Sequence, residues 1–302
     1  MSGSGGSSGY SGISPKVRIA ESTQNVQASQ QELEINEFLE ELLKEFNNRD
    51  VEAIQKHLNE IEKALDKELN GLDSILFGGS ISKKTFIEGF SDVDALVFLD
   101  STKYKEFTPK ELQERFASLL KEHFPKTDIT KGTLAVTVKF SDYEIQLLPA
   151  LKVGKKIVIA DRSGNAWSNP INVQAFSSKL TAINKANNNK VVPVIKLVKN
   201  LVNNIPQEYR PTGYHVEALA VDAFAVYNGR NRLYDMTKYV LEYSVKRVLN
   251  PVVDVTGQSI IVDDNLGPSK SVSRQRLSNY FKDLASRFSG SDAVAVTKEL
   301  FK

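Results

Sequence analysis

Cysteine is absent from all 302 residues, and that absence removes whole classes of chemistry. It excludes a disulfide framework, a cysteine-ligated zinc site and a thiol nucleophile, and it agrees with a reducing compartment. Long apolar runs are missing too. None approaches the ~20 residues needed to span a bilayer, and the N-terminus has no signal-peptide core. Nor is there a dominant charge of one sign, because 39 lysines and arginines face 37 aspartates and glutamates, for a formal net charge of +2. A chain so nearly neutral carries no bulk coat for a polyanion, so any phosphate or nucleic-acid site has to be local. These absences predict a cytoplasmic protein without a membrane partner. What is present is ordinary for a globular chain: 41% hydrophobic and 25% charged residues, with length for one large domain or two of common size.

Residues 1–30 open with MSGSGGSSGYSGIS and stay polar. That is the composition of a flexible tail or a cloning remnant, and its opening is set aside. From Leu33 a helical stripe runs through Ile35, Phe38, Leu39, Leu42, Leu43 and Phe46. A second follows Asp50 through Val51, Ile54, Leu58, Ile61, Leu65 and Leu69. Strands are predicted at 73–77, 94–99, 133–140, 143–151 and 156–160, with a helix at 109–123 between them. After about residue 170 the pattern turns helical, in VVPVIKLVKNLVNN, YHVEALAVDAFAVY and LYDMTKYVLEYSVKRVL. The fold class is therefore α+β, with a strand-rich first half and a helical second half.

The chemistry concentrates in LDSILFGGSISKKTFIEGFSDVDALVFL, residues 72–99. An apolar strand ends in Gly78, Gly79 and Ser80, a short helix is expected from about Ser82 to Glu88, and a second strand returns with Asp92 and Asp94. Glycines at such a turn let backbone N–H groups approach an oxyanion, and a following helix start adds positive partial charge. Asp92 and Asp94 project from one strand face because side chains alternate, and two close carboxylates repel unless a cation sits between them. Their hard oxygens suit magnesium or manganese. Alone, a GGS is usually just a turn and an Asp-Val-Asp a solvated strand end. The ordered combination describes a site for a nucleoside triphosphate with its metals.

This stretch resembles the signature of the DNA-polymerase-β-like nucleotidyltransferases. KKTFIEGFSDVD is especially similar to the branch of oligoadenylate synthetase, cyclic GMP-AMP synthase and their bacterial relatives, the CD-NTases. Further similarity lies in YEIQLLPAL (143–151), WSNP (167–170), KLVKNL (196–201), TGYHVEALA (212–220) and VDDNLGPSKSVSR (262–274), so that it covers roughly residues 33–290. The resemblance implies a nucleotidyltransferase core over 31–165, with the N-terminal helices across both lobes. A helical lobe over 166–302 and an active cleft between the two complete the expectation. The implied activity is two-metal joining of nucleoside triphosphates, ATP among them, into a cyclic or linear second messenger in bacterial anti-phage defence. Asp92 and Asp94 would hold Mg2+ or Mn2+, Gly79 and Ser80 would seat phosphate, Lys196 and Lys199 would reach the triphosphate, and Tyr214 would stack on a base. A regulatory protein and an effector that binds the product are the implied partners. Direct nucleic-acid sensing is not expected, because the chain lacks both a zinc insertion and a basic surface run.

The pattern departs at Gln146, which stands where the resemblance calls for a third metal-binding aspartate. An amide oxygen can coordinate a hard cation but brings no charge. Glu144, two residues earlier on the same strand face, is a candidate substitute. An introduced substitution or a weakly active nucleotide binder are the other accounts. Gly213 stands where relatives often carry a serine. The alternative activity is nucleotide transfer to RNA or protein. Lys196 and Lys199 read equally as solvated helix charges and Tyr214 as a core residue; His57 and His123 read as surface residues, and neither His215 nor Glu217 is expected to be catalytic.

Overall fold

In β2, Val93–Leu99, strict alternation decides the faces: Val93, Ala95 and Val97 are buried, while Asp94 and Leu96 lie half-buried on the opposite side. The computed structural model describes residues 15–47, 51–69, 71–87, 93–154, 156–161, 163–170, 172, 174–253, 256, 262–289 and 292–301. Asp92 lies outside the described residues. β2 pairs antiparallel with β1, Leu72–Phe77, and parallel with β5, Glu144–Val153. Along its other edge β5 pairs antiparallel first with β4, Val136–Lys139, and then with β6, Lys156–Ile159. β3, Asp128–Lys131, pairs with β4 and completes a mixed, six-stranded sheet.

The strand expected over 133–140 is thus a hairpin that turns at Gly132, whose N–H donates to the Ala135 carbonyl at 2.8 Å. Of the four residues of β3 only Ile129 is buried, too little for an alternation to show. α5, Pro109–His123, begins where expected, and its start is fully encoded. The Thr108 hydroxyl accepts from the Glu111 N–H, the Glu111 carboxylate accepts from the Thr108 N–H, and proline occupies the first turn. Leu112, Phe116 and Leu120 of α5 pack into the sheet's core with Ile54, Leu58, Ile61 and Leu65 of α2, Val51–Asp66.

A second core is helical. It gathers side chains from α6, Ala175–Ala186; α7, Val191–Val202; α8, Gly213–Phe224; α9, Leu233–Arg247; α10, Val272–Phe288; and α11, Ala293–Leu300. α1, Pro15–Asn47, joins this core through Ile35, Leu39 and Leu43. The two N-terminal helices therefore divide, α1 to the helical cluster and α2 to the sheet. α1 also corrects the reading of residues 1–30 as a tail, because the helix already begins at Pro15.

The helix expected over 82–88 is corrected as well. α3 is Gly79–Ser82, four residues long. It ends because Lys84 takes a left-handed conformation at φ 60°. With that reversal Lys84 N–H donates to the Ile81 carbonyl at 3.0 Å and Thr85 N–H to the Ser80 carbonyl at 2.9 Å, the paired bonds of a Schellman stop. Glycine or asparagine would announce such a stop in a sequence; lysine does not. A short α4, Ser101–Tyr104, capped by Asp100, follows β2. His57 is not a free surface residue either, since it stacks on Phe140 at 3.9 Å and its Nε2 lies 2.8 Å from Asp142.

The C-terminal segment is held by one cation. Arg274 is fully buried; its guanidinium donates to Asp263 Oδ2 at 2.6 Å and to the carbonyls of Gly267 and Val248 at 2.9 and 3.1 Å. His215 lies beside the pair, with Nε2 3.4 Å from Asp263 Oδ2 but no hydrogen-bond partner. Burial pushes the His215 imidazole down from 6.5 to about 4, against the pull of Asp263 and with Arg274 and Arg247 adding to the fall. The folded state therefore favours neutral His215. Its contribution is complete above pH 6.5 and is lost as the pH falls toward 4, because the unfolded chain takes up the proton first. At about 1.4 kcal/mol per pH unit of that window, the loss is on the order of 3 kcal/mol. Urea unfolding of the parent should show this acid-side slope, and His215→Asn should flatten it.

Candidate active site

The end of β1 and the start of β2 meet at a pair of glycines. Gly78 N–H donates to the Asp94 carbonyl at 2.8 Å, which extends the ladder one residue past β1. Gly79 then turns with φ +49°, and a Cβ built there would come 1.8 Å from Asp94 Oδ2. The Asp94 carboxylate thus lies directly against the Gly79 backbone, a place open only to glycine on both steric and conformational grounds. The next residue, Ser80, is 7% exposed, and its Oγ has no hydrogen-bond partner among the described residues. A buried hydroxyl without a partner is costly; here it stands one residue from the surface on which Asp94 rests.

Across the sheet, Asp94 is in register with Gln146 on β5, and Gln146 with Thr137 on β4. All three project from the face opposite the sheet's core, at the strand spacing of about 4.8 Å. Glu144 shares this face and pairs with Lys139 at 3.6 Å. Asp94 and Gln146 therefore offer adjacent hard oxygens, as magnesium or manganese would require. Among the described residues no three histidine, cysteine, aspartate or glutamate side chains converge as a metal cluster, so the donor set fits a cation with one carboxylate and one neutral amide from this row.

The lysines fall differently from the sequence expectation. Lys199 is fully buried, and its ammonium donates to the Thr85 carbonyl at 2.9 Å and to Glu217 Oε1 at 2.9 Å. Burial pushes its pKa below the usual lysine range despite the pull of Glu217. The Glu217 carboxylate, 1% exposed, also accepts from the Lys83 ammonium and the Thr85 hydroxyl. Burial alone would raise its pKa, but Lys199 and Lys83 together hold it below the ordinary carboxylate range. Asp94 is close enough to favour the charged form of Lys199. Lys196 sits one turn away and donates to Asn47 Oδ1 of α1. Tyr214, in the first turn of α8, lies against Phe176 with ring centroids 4.8 Å apart, and Lys83 Nζ stands 5.1 Å over its ring.

Lys83, Thr85 and Glu217 are the members of this cluster that sequence reasoning did not assign. A signal exists for Glu217 alone: it interrupts the nearly continuous apolar run of α8, as Lys196 and Lys199 interrupt that of α7, and charges so placed require buried partners.

A mixed sheet carrying a glycine-serine turn against a strand aspartate, with a helical lobe closing on that turn, defines a nucleotidyltransferase. The family model described as Second Messenger Oligonucleotide or Dinucleotide Synthetase domain matches residues 30–184, and the chain belongs to that family. No curated protein matches it. Solved structures share the fold. DncV, the di-nucleotide cyclase of Vibrio cholerae in complex with GTP and 5MTHFGLU2, is 11% identical, with a TM-score of 0.62 over 96% of this chain and 90% of that one. CdnE, a cyclic dinucleotide synthase of Elizabethkingia meningoseptica with GTP and Apcpp, is 13% identical, with a TM-score of 0.60 over 76% and 91%. The CdnC:HORMA-deltaN complex of E. coli MS115-1 is 16% identical, with a TM-score of 0.58 over 85% and 90%. Among the described residues no helix is long and apolar enough to cross a membrane.

Gly79→Ala should displace the Asp94 carboxylate while leaving both cores intact. A displacement of about 1 Å costs on the order of 100-fold in rate. The expected outcome is a loss of nucleotide joining of that size, with the thermal transition shifted by only a few degrees. Activity within a factor of two of the parent would refute the packing argument.

Proposed function

We propose that this chain joins nucleoside triphosphates, ATP among them, into a cyclic or linear oligonucleotide messenger that serves bacterial anti-phage defence. The observation that carries the reading is the buried, partnerless Ser80 hydroxyl on a glycine turn whose backbone touches the Asp94 carboxylate. That hydroxyl donates to a phosphate oxygen of the incoming nucleotide, and the exposed backbone of Gly79 lets the phosphates come close. Asp92 and Asp94 would hold magnesium or manganese, which would supply Lewis-acid stabilisation of the α-phosphate and pyrophosphate and ease ionisation of the attacking ribose hydroxyl. Gln146, beside Asp94, orients that hydroxyl through its amide oxygen. Tyr214 offers a ring for stacking, a contact worth ~1–3 kcal/mol per base in nucleic-acid complexes. A protein partner that regulates the enzyme, by analogy with the CdnC complex, and an effector that takes the product complete the proposed pathway.

Gln146 also favours a second reading, in which the chain binds triphosphates and turns them over slowly. One experiment separates the two. The protein is incubated with each labelled triphosphate plus magnesium or manganese, and the products are resolved after phosphatase treatment. Phosphatase-resistant small products support the messenger synthase; label on added RNA or protein would replace it with the macromolecular transferase; tight binding without turnover supports the second reading. Asp94→Asn should abolish turnover. Gln146→Asp should raise it at least tenfold if the missing charge limits the rate. If Gln146→Asp gives no gain and Glu144→Ala abolishes activity, Glu144 is the functional carboxylate instead.

A further inference from the structure

Three charged side chains meet where the two cores touch, and they are not equally fixed. Glu217 is 1% exposed, Lys199 0%, and Lys83 11%. Lys199 donates to Glu217 Oε1 and to the Thr85 carbonyl, both from within the protein. Moving it would leave a buried carboxylate and a buried carbonyl without their donor. Lys83 donates to the other oxygen, Glu217 Oε2, and its ammonium otherwise faces the rings of Phe176 and Tyr214 at 5.0 and 5.1 Å. If Lys83 leaves, Glu217 keeps Lys199 and the Thr85 hydroxyl, so no buried charge is stranded. Lys83 is therefore the member of the cluster that can be spared.

Position supports the same asymmetry. Lys83 is the C-cap residue of α3, three residues after Ser80. Residues three apart on a helical turn are neighbours on one face, so Lys83 and Ser80 lie on the same side of the α3 turn. Lys83 also lines an open cleft of about 280 Å³ between the α3 turn and α6, with Ser82, Lys84, Ser177 and Thr181 among its walls. Lys83 is therefore the member of the cluster that borders solvent-open space, whereas Lys199 is fully buried.

We propose that Lys83, rather than Lys199, is the cation that grips the polyphosphate of the incoming nucleotide, and that Glu217 holds it in reserve until a phosphate oxygen takes the carboxylate's place. Lys199 is then a positioning residue: it stays on Glu217 and keeps that carboxylate in the fold while Lys83 is exchanged. Departure of Lys83 also uncovers the face of Tyr214, so arrival of the phosphates and clearing of the ring for a base become one event. The inference rests on the reading that a triphosphate is seated on the Ser80 turn.

The test is equilibrium binding of Mg·ATP and of adenosine to the full chain and its variants, over a range of salt concentrations. Lys83→Gln should weaken Mg·ATP at least tenfold, reduce the salt dependence of binding and leave adenosine affinity and the melting temperature close to the parent. Lys83→Arg should recover most of the loss. Glu217→Gln, which weakens the hold on Lys83 without removing its shape, should tighten Mg·ATP. If the parent binds Mg·ATP and Lys83→Gln binds it equally well, the assignment of Lys83 is wrong and the nucleotide reading stands. If the parent binds no Mg·ATP at all, both fall. If Lys83→Gln loses adenosine and Mg·ATP alike, or melts far below the parent, Lys83 is a structural tie and the proposal is overturned.

Discussion

The two cores are joined through a buried ionic seam, and the geometry of the site depends on it. Glu217 on α8 reaches across to Lys83 and Thr85 in the turn after α3, and Lys199 on α7 reaches the carbonyl of the same Thr85. Burying these charges is costly, and an ion pair in a protein interior seldom stabilises more than well-packed apolar groups would. What the seam provides is direction. A hydrophobic contact between the lobes would tolerate sliding, whereas a buried carboxylate held by Lys199 and the Thr85 hydroxyl is directional, with or without Lys83 as its third donor. The Ser80 turn is thereby fixed relative to α7 and α8.

The turn itself shows how local backbone choices serve this arrangement. Gly79 accepts a positive φ and removes the Cβ that would strike Asp94. Five residues later Lys84 accepts a positive φ without glycine's freedom, a cost of order 1–3 kcal/mol. In return the chain reverses at once, Thr85 returns to the Ser80 carbonyl, and Lys83 is left at the helix end facing Glu217. A longer helix, as the sequence pattern suggests, would carry Lys83 and Thr85 around the helix axis and away from the carboxylate that needs them.

Much of the fold was legible because its signals are periodic. The stripe of α2, the boxed start of α5 and the alternation of β2 each follow from residue spacing alone, and the turn at Gly79 does meet Asp94. The misses have physical reasons. β3 buries one residue and so has no period to read. The end of α3 is dictated by the tertiary partner of Lys83 and Thr85, not by a helix-breaking residue. α1 continues N-terminal to its apolar stripe, through residues whose composition is that of a linker. Lys199 illustrates the limit most clearly, since a lysine at helical spacing looks the same in sequence whether it faces solvent, a phosphate or a buried glutamate. Only the apolar residues around it hinted that it was enclosed.

The charge balance around Asp94 bears on what Gln146 does to the site. Lys83 and Lys199 are matched within the described cluster by Glu217 and Asp94, so the protein side of the cleft is close to neutral before a nucleotide arrives. A triphosphate adds several negative charges that two lysines, one of them committed to Glu217, cannot offset. On the proposed mechanism divalent cations would carry the remainder, and their retention would depend on carboxylates. Two unit charges about 4 Å apart interact by about 4 kcal/mol at the effective dielectric of a protein surface, so an amide in place of a carboxylate beside Asp94 removes an attraction of that order. The loss would fall mainly on a cation held at the β5 position, while one held by Asp94 would keep its carboxylate. On the proposed mechanism, binding of the first nucleotide would be separable from activation of the hydroxyl that attacks it, and the residue at 146 would act on the second far more than on the first.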